Sequence, residues 1–138
     1  MIAVALAAAL SGPLSALEPW VGHCWVSEVA PGTTDRHCFV PVYEGAHVRD
    51  THEVVANGKT VYAGETLYSV EDGRITFTYW NSLGAVMRGG MTPGPELRFT
   101  MKAAKPGAPD GVIVWRRTAD GYETQTGETI RRFRRDDR

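Results

Sequence analysis

The chain has 138 residues, a formal net charge of −1 at pH 7 and a hydrophobic fraction of 43%. That length suits one domain with a core of its own, and the charge balance excludes a nucleic-acid binder acting through bulk electrostatics. No stretch is long enough to cross a bilayer as a helix, and no internal repeat, low-complexity tract or heptad pattern is visible.

Residues 1–16, MIAVALAAALSGPLSA, are apolar, rich in Ala and end in small residues. They read as a secretory leader with cleavage after Ala16, although the usual basic start is missing. The alternative is a buried N-terminal helix. No Cys stands at the expected cleavage point, which argues against a lipoprotein. Residues 17–134 then read as one domain and 135–138 as a charged tail.

Within the domain, residues 20–28 read as the first strand, Pro31-Gly32-Thr33-Thr34 as a turn and residues 35–42 as the second strand, with a turn at Tyr43-Glu44-Gly45-Ala46. Residues 47–81 form a three-stranded meander. Asn57-Gly58 marks a two-residue type I′ hairpin, and Glu71-Asp72-Gly73 supplies the next turn. Further strands fall at residues 85–91, interrupted by a bulge at Gly89-Gly90, and at 96–102, with Leu97, Phe99 and Met101 inward. The last three fall at 112–118, 122–125 and 129–134. Many short antiparallel strands with regular turns and no convincing helix define an all-β fold: a single up-and-down meander closing into a barrel of about 8–10 strands.

Side-chain alternation gives this meander a register. With Ala56 opposite Lys59, the inner face pairs Val48 with Leu67, Asp50 with Glu65, His52 with Ala63 and Val54 with Val61. With Val70 opposite Arg74, Phe77 and Tyr79 join that face opposite Leu67 and Glu65, and Asn81 falls opposite Ala63. The result is a polar centre of Asp50, His52, Glu65, Tyr79 and Asn81 between apolar rows. Opposed carboxylates on a buried face are costly, so a cation, shared protons, water or a ligand is expected beside them. Arg88, Arg116 and Arg117 are candidate counter-ions.

Turn lengths extend the register to the first two strands. Tyr43 opposite Ala46 places Phe39 opposite Asp50 and His37 opposite His52. The turn at residues 30–32 places Cys24 opposite Cys38, with Trp25 opposite His37. Facing strand positions lie within disulfide range, so a Cys24–Cys38 bond in an oxidising compartment is the leading expectation. Trp80 has the opposite parity to Tyr79 and should not line the interior.

Gly22-His23-Cys24-Trp25 on the first strand resembles the Gly-then-Trp start of lipocalin-like (calycin) barrels. Gly64-Glu65-Thr66-Leu67-Tyr68, Gly73-Arg74 and Tyr79-Trp80-Asn81-Ser82-Leu83-Gly84 are similar to an uncharacterised group of secreted bacterial lipocalin-like domains. The resemblance spans roughly residues 20–133 and implies a cup that holds a small hydrophobic molecule. Similar barrels that hold haem use a His near the C-terminus. No His follows His52, so that role is not carried over.

The leading expectation is therefore a periplasmic or secreted barrel that binds a small hydrophobic or amphipathic ligand. Its expected ligand set is His37, Phe39, Asp50, His52, Glu65, Leu67, Phe77, Tyr79 and Asn81, with no cofactor. A structural or interaction barrel with a filled polar core is the second reading. An enzyme or metal site built on the same histidines and carboxylates, with His52 as general base, is the third. No compact motif names a metal ligand or a catalytic residue.

Overall fold

In a computed structural model that describes residue 10 and residues 12–137, the chain forms one closed antiparallel barrel. Most of the leader assigned from sequence, residues 1–9 and 11, lies outside the described residues. A short 3-10 helix, Gly12–Leu17, comes first. Ten strands follow: β1 (Cys24–Ala30), β2 (Thr33–Val42), β3 (His47–Ala56), β4 (Lys59–Glu71), β5 (Arg74–Asn81), β6 (Val86–Thr92), β7 (Leu97–Met101), β8 (Gly111–Arg117), β9 (Gly121–Thr126) and β10 (Thr129–Asp136). Each pairs with its neighbour in sequence, and β10 closes onto β1 through Cys24, Trp25 and Val26. Closure removes the unpaired edges that an open sheet of this length would expose. β10 extends to Asp136, beyond the boundary that the sequence suggests between strand and tail, and Asp136 accepts a 2.7 Å hydrogen bond from Arg36.

The expected register holds for β2–β3, and for β1–β2 from Cys24 to Glu28; next to the turn it is corrected, because Ala30 rather than Val29 lies opposite Thr33 and the turn is Pro31-Gly32 alone, with Val29 bulged. Cys24 lies opposite Cys38, Trp25 opposite His37, His37 opposite His52 and Phe39 opposite Asp50. Cys24 and Cys38 form a disulfide at a Cα–Cα distance of 4.1 Å, the spacing of a narrow antiparallel pair. Asn57 and Gly58 both have positive φ (51° and 78°), as a type I′ turn requires.

The expected β3–β4 register is corrected. Val54 pairs with Tyr62 but Val55 pairs with Thr60, so Val61 is an extra residue bulged out of the ladder. Beyond the bulge every β4 side chain changes face. Asp50 therefore lies opposite Thr66 rather than Glu65, and Val48 opposite Tyr68 rather than Leu67. Thr66 and Tyr68 are buried, whereas Glu65 pairs with Arg49 on the outside. The next turn is also one residue shorter than expected: Asp72-Gly73 alone links Glu71 to Arg74. The two one-residue differences cancel, so Ile75, Phe77 and Tyr79 point inward as the alternation requires.

β6 carries no bulge at Gly89-Gly90, since its pairing with β5 and β7 is continuous. Gly89 is there for space. A Cβ on it would lie 2.1 Å from the Thr100 carbonyl oxygen and 2.7 Å from the Phe77 ring.

The apolar core sits toward one end of the barrel. Trp20, Trp25, Phe39, Phe99, Trp115, Tyr122 and Phe133 pack there as an aromatic cluster beside Leu97, with Tyr122 and Phe133 stacked at 4.8 Å. The 3-10 helix rests on the ends of β4 and β5 and inserts Leu14 and Leu17, 1% and 0% exposed, beneath that cluster. Leu10 joins them. Part of the segment read as a leader thus forms the floor of the barrel.

Candidate functional site

Above the aromatic floor the barrel holds a cavity of about 460 Å³ that opens at the other end. Phe77, Phe99, Met101, Ile113, Trp115 and Phe133 form its apolar side. Asp35, His37, His52, Thr66, Tyr68 and Tyr79 form its polar side. Thr126, Thr129 and Arg131, all exposed, stand at its mouth.

The polar wall is built from adjacent inward positions of β2 and β3. Period-two alternation carries Asp35, His37 and Phe39 along one strand and Asp50 and His52 along the other. The His37 and His52 rings stack at 4.4 Å with 19° between their planes. The Nδ1 of His37 lies 2.9 Å from both carboxylate oxygens of Asp50, and its Nε2 lies 3.4 Å from Asp35 Oδ1. The Nδ1 of His52 is 3.1 Å from the same Asp35 oxygen, and its Nε2 is 3.2 Å from the Tyr79 hydroxyl. Tyr79 is hydrogen-bonded in turn to Tyr62. Arg131, at 3.8 Å, faces the other Asp35 oxygen, a role that the sequence suggested for Arg88, Arg116 or Arg117. Arg116 instead holds Glu96 and Gln125.

Gly64 makes room for this wall. It lies opposite His52, and a Cβ on it would fall 2.5 Å from His52 Nε2 and 2.7 Å from the Tyr79 hydroxyl. Any side chain at residue 64 would occupy the space in which that hydrogen bond is made.

The electrostatics follow from burial and pairing. Burial alone would lower the His37 pKa, but the Asp50 charge and the hydrogen bonds to Asp35 and Asp50 outweigh it and push it up to about 10. His37 is thus an imidazolium held between two carboxylates. Burial alone would raise Asp35, yet the hydrogen bonds and charges of His37 and His52 bring it well below the usual carboxylate range. Burial, and then the hydrogen bond with Tyr62, raise Tyr79, so its hydroxyl stays neutral. Burial also raises Tyr68 and Tyr122. The Tyr122 hydroxyl, in a residue 1% exposed that lines the cavity, has no hydrogen-bond partner among the described residues.

Of the site residues expected from sequence, His37, His52, Phe77 and Tyr79 line the cavity together. Phe39 and Asp50 are fully buried behind that wall, where Asp50 orients His37. Glu65 and Leu67 face outward because of the Val61 bulge. Asn81 caps the β5–β6 turn, its side-chain oxygen accepting from the Leu83 and Ala85 amides. The expected set omits the wall supplied by β7–β10. Met101 reads as inward in the sequence but is absent from that set, and alternation from Trp115, Tyr122 and Phe133 reaches Ile113, Thr124 and Arg131 by the same counting.

Fold and site define an all-β closed barrel with an internal, partly polar cavity. Compared with known proteins, the chain matches no family model, no curated protein and no solved structure.

Proposed function

We propose that this barrel binds a small amphipathic molecule in its cavity. The observation that carries the reading is a cavity of about 460 Å³, open at one end, that is aromatic on one side and polar on the other. That volume is within the range of small-molecule sites, and a few convergent polar groups on an apolar lining are their usual make-up. The ligand's apolar body lies against Phe99, Ile113 and Trp115. Its polar end meets His52, Tyr79 and Arg131, and an acceptor deeper in the cavity takes the unpartnered Tyr122 hydroxyl.

The kinship with lipocalin-like barrels belongs to the same proposal. It is supported by Trp25, on the first strand, buried in the floor under the cavity. A periplasmic or secreted setting belongs to it as well. The Cys24–Cys38 disulfide supports that setting, because such bonds persist where the surroundings are oxidising. No helix among the described residues is long and apolar enough to cross a membrane.

The test is titration with the amphipathic fluorophore anilinonaphthalene sulfonate, followed by native mass spectrometry of protein purified from its own host. Saturable one-to-one binding that is abolished by Ile113→Trp, which fills the cavity, is the expected result. No saturable binding, or binding indifferent to Ile113→Trp, would remove the reading. A purely structural barrel would then stand in its place, favoured by the internal pairing of Asp35, His37 and Asp50.

A further inference from the structure

We infer that Asp35, His37 and His52 form a binding site for a divalent first-row transition metal ion, with a coordination position left open to the cavity. The inference does not depend on what organic molecule the cavity holds.

Three ligand atoms of the right kind converge. One carboxylate oxygen and one ring nitrogen from each histidine lie within 4.8 Å of one another. Asp35 Oδ1 is the shared vertex, 3.4 Å from His37 Nε2 and 3.1 Å from His52 Nδ1. Zinc binds His nitrogen and carboxylate oxygen at about 2.0–2.2 Å, so neighbouring ligand atoms around it are roughly 3.3–3.5 Å apart. Both edges are close to that in the metal-free protein, where a proton on His37 Nε2 lies between it and Asp35; the entering ion takes the place of that proton and releases it. Two imidazoles and one carboxylate form a donor set suited to zinc or ferrous iron rather than calcium or magnesium, which favour all-oxygen cages.

Every ligand is also held from behind. Asp50 takes the Nδ1 side of His37, which directs Nε2 toward Asp35. Tyr79, backed by Tyr62, takes the Nε2 side of His52 and leaves Nδ1 facing the same point. Arg131 faces the Asp35 oxygen that is not shared. Metal-binding histidines characteristically carry such a partner on the second ring nitrogen, which fixes the tautomer and the ring plane. All three ligands line the cavity, so a solute can supply the remaining donor. Only three protein ligands with an open fourth position is the arrangement of reactive zinc sites, whereas structural sites are closed.

The experiment is a zinc titration of the chelator-stripped full chain, in competition with a chromophoric chelator and with no organic solute present. One zinc per chain is expected. His52→Gln and Asp35→Asn should each weaken binding by more than about 100-fold, and Asp50→Asn, which removes only the support of His37, by about 10–100-fold. His23→Ala with His47→Ala should leave the affinity unchanged, because both histidines lie outside the cluster. Binding that survives His52→Gln but falls in the His23/His47 variant would overturn the site, as would an affinity no tighter than millimolar. Should the ligand variants fail to fold, histidine ring nitrogen NMR of the wild type decides. Zinc must shift His37 and His52 and spare His23 and His47; the reverse pattern overturns the inference. A protein that takes zinc here but refuses the fluorophore keeps this site and loses the proposed function.

Discussion

His37 holds its proton because carboxylates meet both of its ring nitrogens, Asp50 at Nδ1 and Asp35 at Nε2. Its folded pKa of about 10 lies above the ordinary 6.5, so its pairing stabilises the fold fully below pH 6.5. That stabilisation is lost as pH rises through about 10. Asp35 has the opposite sign. Its folded pKa lies below the ordinary 3.8, so its contribution is present above that pH and is lost on acidification. The metal-free protein is therefore expected to be most resistant to urea between roughly pH 4 and 6.5, from these two groups, with midpoints falling on either side. Asp50→Asn should flatten the alkaline limb and leave the acid limb in place, because the largest influence raising His37 is the Asp50 charge. Urea midpoints at half-unit pH steps for both proteins check this, and an alkaline limb of equal steepness in the two would show that Asp50 is not what holds the proton. This pairing was legible in the sequence as far as His37 opposite His52, because the turn at residues 43–46 sets the β2–β3 register. The hydrogen-bond partners themselves were not. Facing positions tell which side chains meet, but not which ring nitrogen turns to which oxygen.

β4 shows why the rest of the site was harder to read. Its alternation is ambiguous, since Glu65 and Leu67 on one face and Thr66 and Tyr68 on the other are each half polar. Nothing in the composition announces that Val61 bulges, and a bulge of one residue exchanges the two faces. β5 escapes the error because Ile75, Phe77 and Tyr79 against Thr76, Thr78 and Trp80 is an unequal contrast that only one orientation can satisfy. Gly64 is the element's second hidden device. In the sequence it is a glycine in a strand, which marks a close approach without naming what approaches. In the fold it is the gap that His52 and Tyr79 fill. Gly64→Ala is expected to push both rings out of place and to weaken zinc binding by about 10-fold or more, as the loss of an outer partner does. It should cost roughly 1–3 kcal/mol in stability, the usual penalty for overpacking a closed site. The chelator competition and a urea titration read the two effects separately. Unchanged zinc affinity in a folded Gly64→Ala protein would mean that the Tyr79 support of His52 is dispensable.

At the scale of the molecule the barrel has two unlike ends, and the N-terminal segment decides which is closed. The β-content, the strand order and the disulfide all follow from alternation, turn chemistry and opposed cysteines, so the architecture was readable from sequence. The floor was not, because an apolar Ala-rich segment at the start of a chain reads equally as a leader and as a buried element, and hydrophobicity alone does not separate them. Leu14 and Leu17, no more than 1% exposed, pack with Leu10 and Trp20 under the aromatic cluster, and the backbone continues into hydrogen bonds from Trp20 and Val21 to the Leu17 carbonyl. Cleavage after Ala16 would remove Leu10 and Leu14 and leave Leu17 at a free terminus. Loss of one buried leucine side chain typically costs about 2–5 kcal/mol, a large part of the stability of a domain this size. A chain beginning at Leu17 is accordingly expected to unfold at lower urea than the full chain by at least about 2 kcal/mol, with the disulfide intact in both. Its cavity should also admit solvent from below, seen as faster quenching of tryptophan fluorescence by acrylamide, because Trp20 and Trp115 border the same pocket as Ser15 and Ala16. Leu14→Ala in the full chain separates the cap from the mere presence of extra residues, and it should reproduce most of the stability loss. Equal stability in all three proteins would mean that the barrel closes without its N-terminal floor, and residues 1–16 could then be removed without consequence for the cavity above.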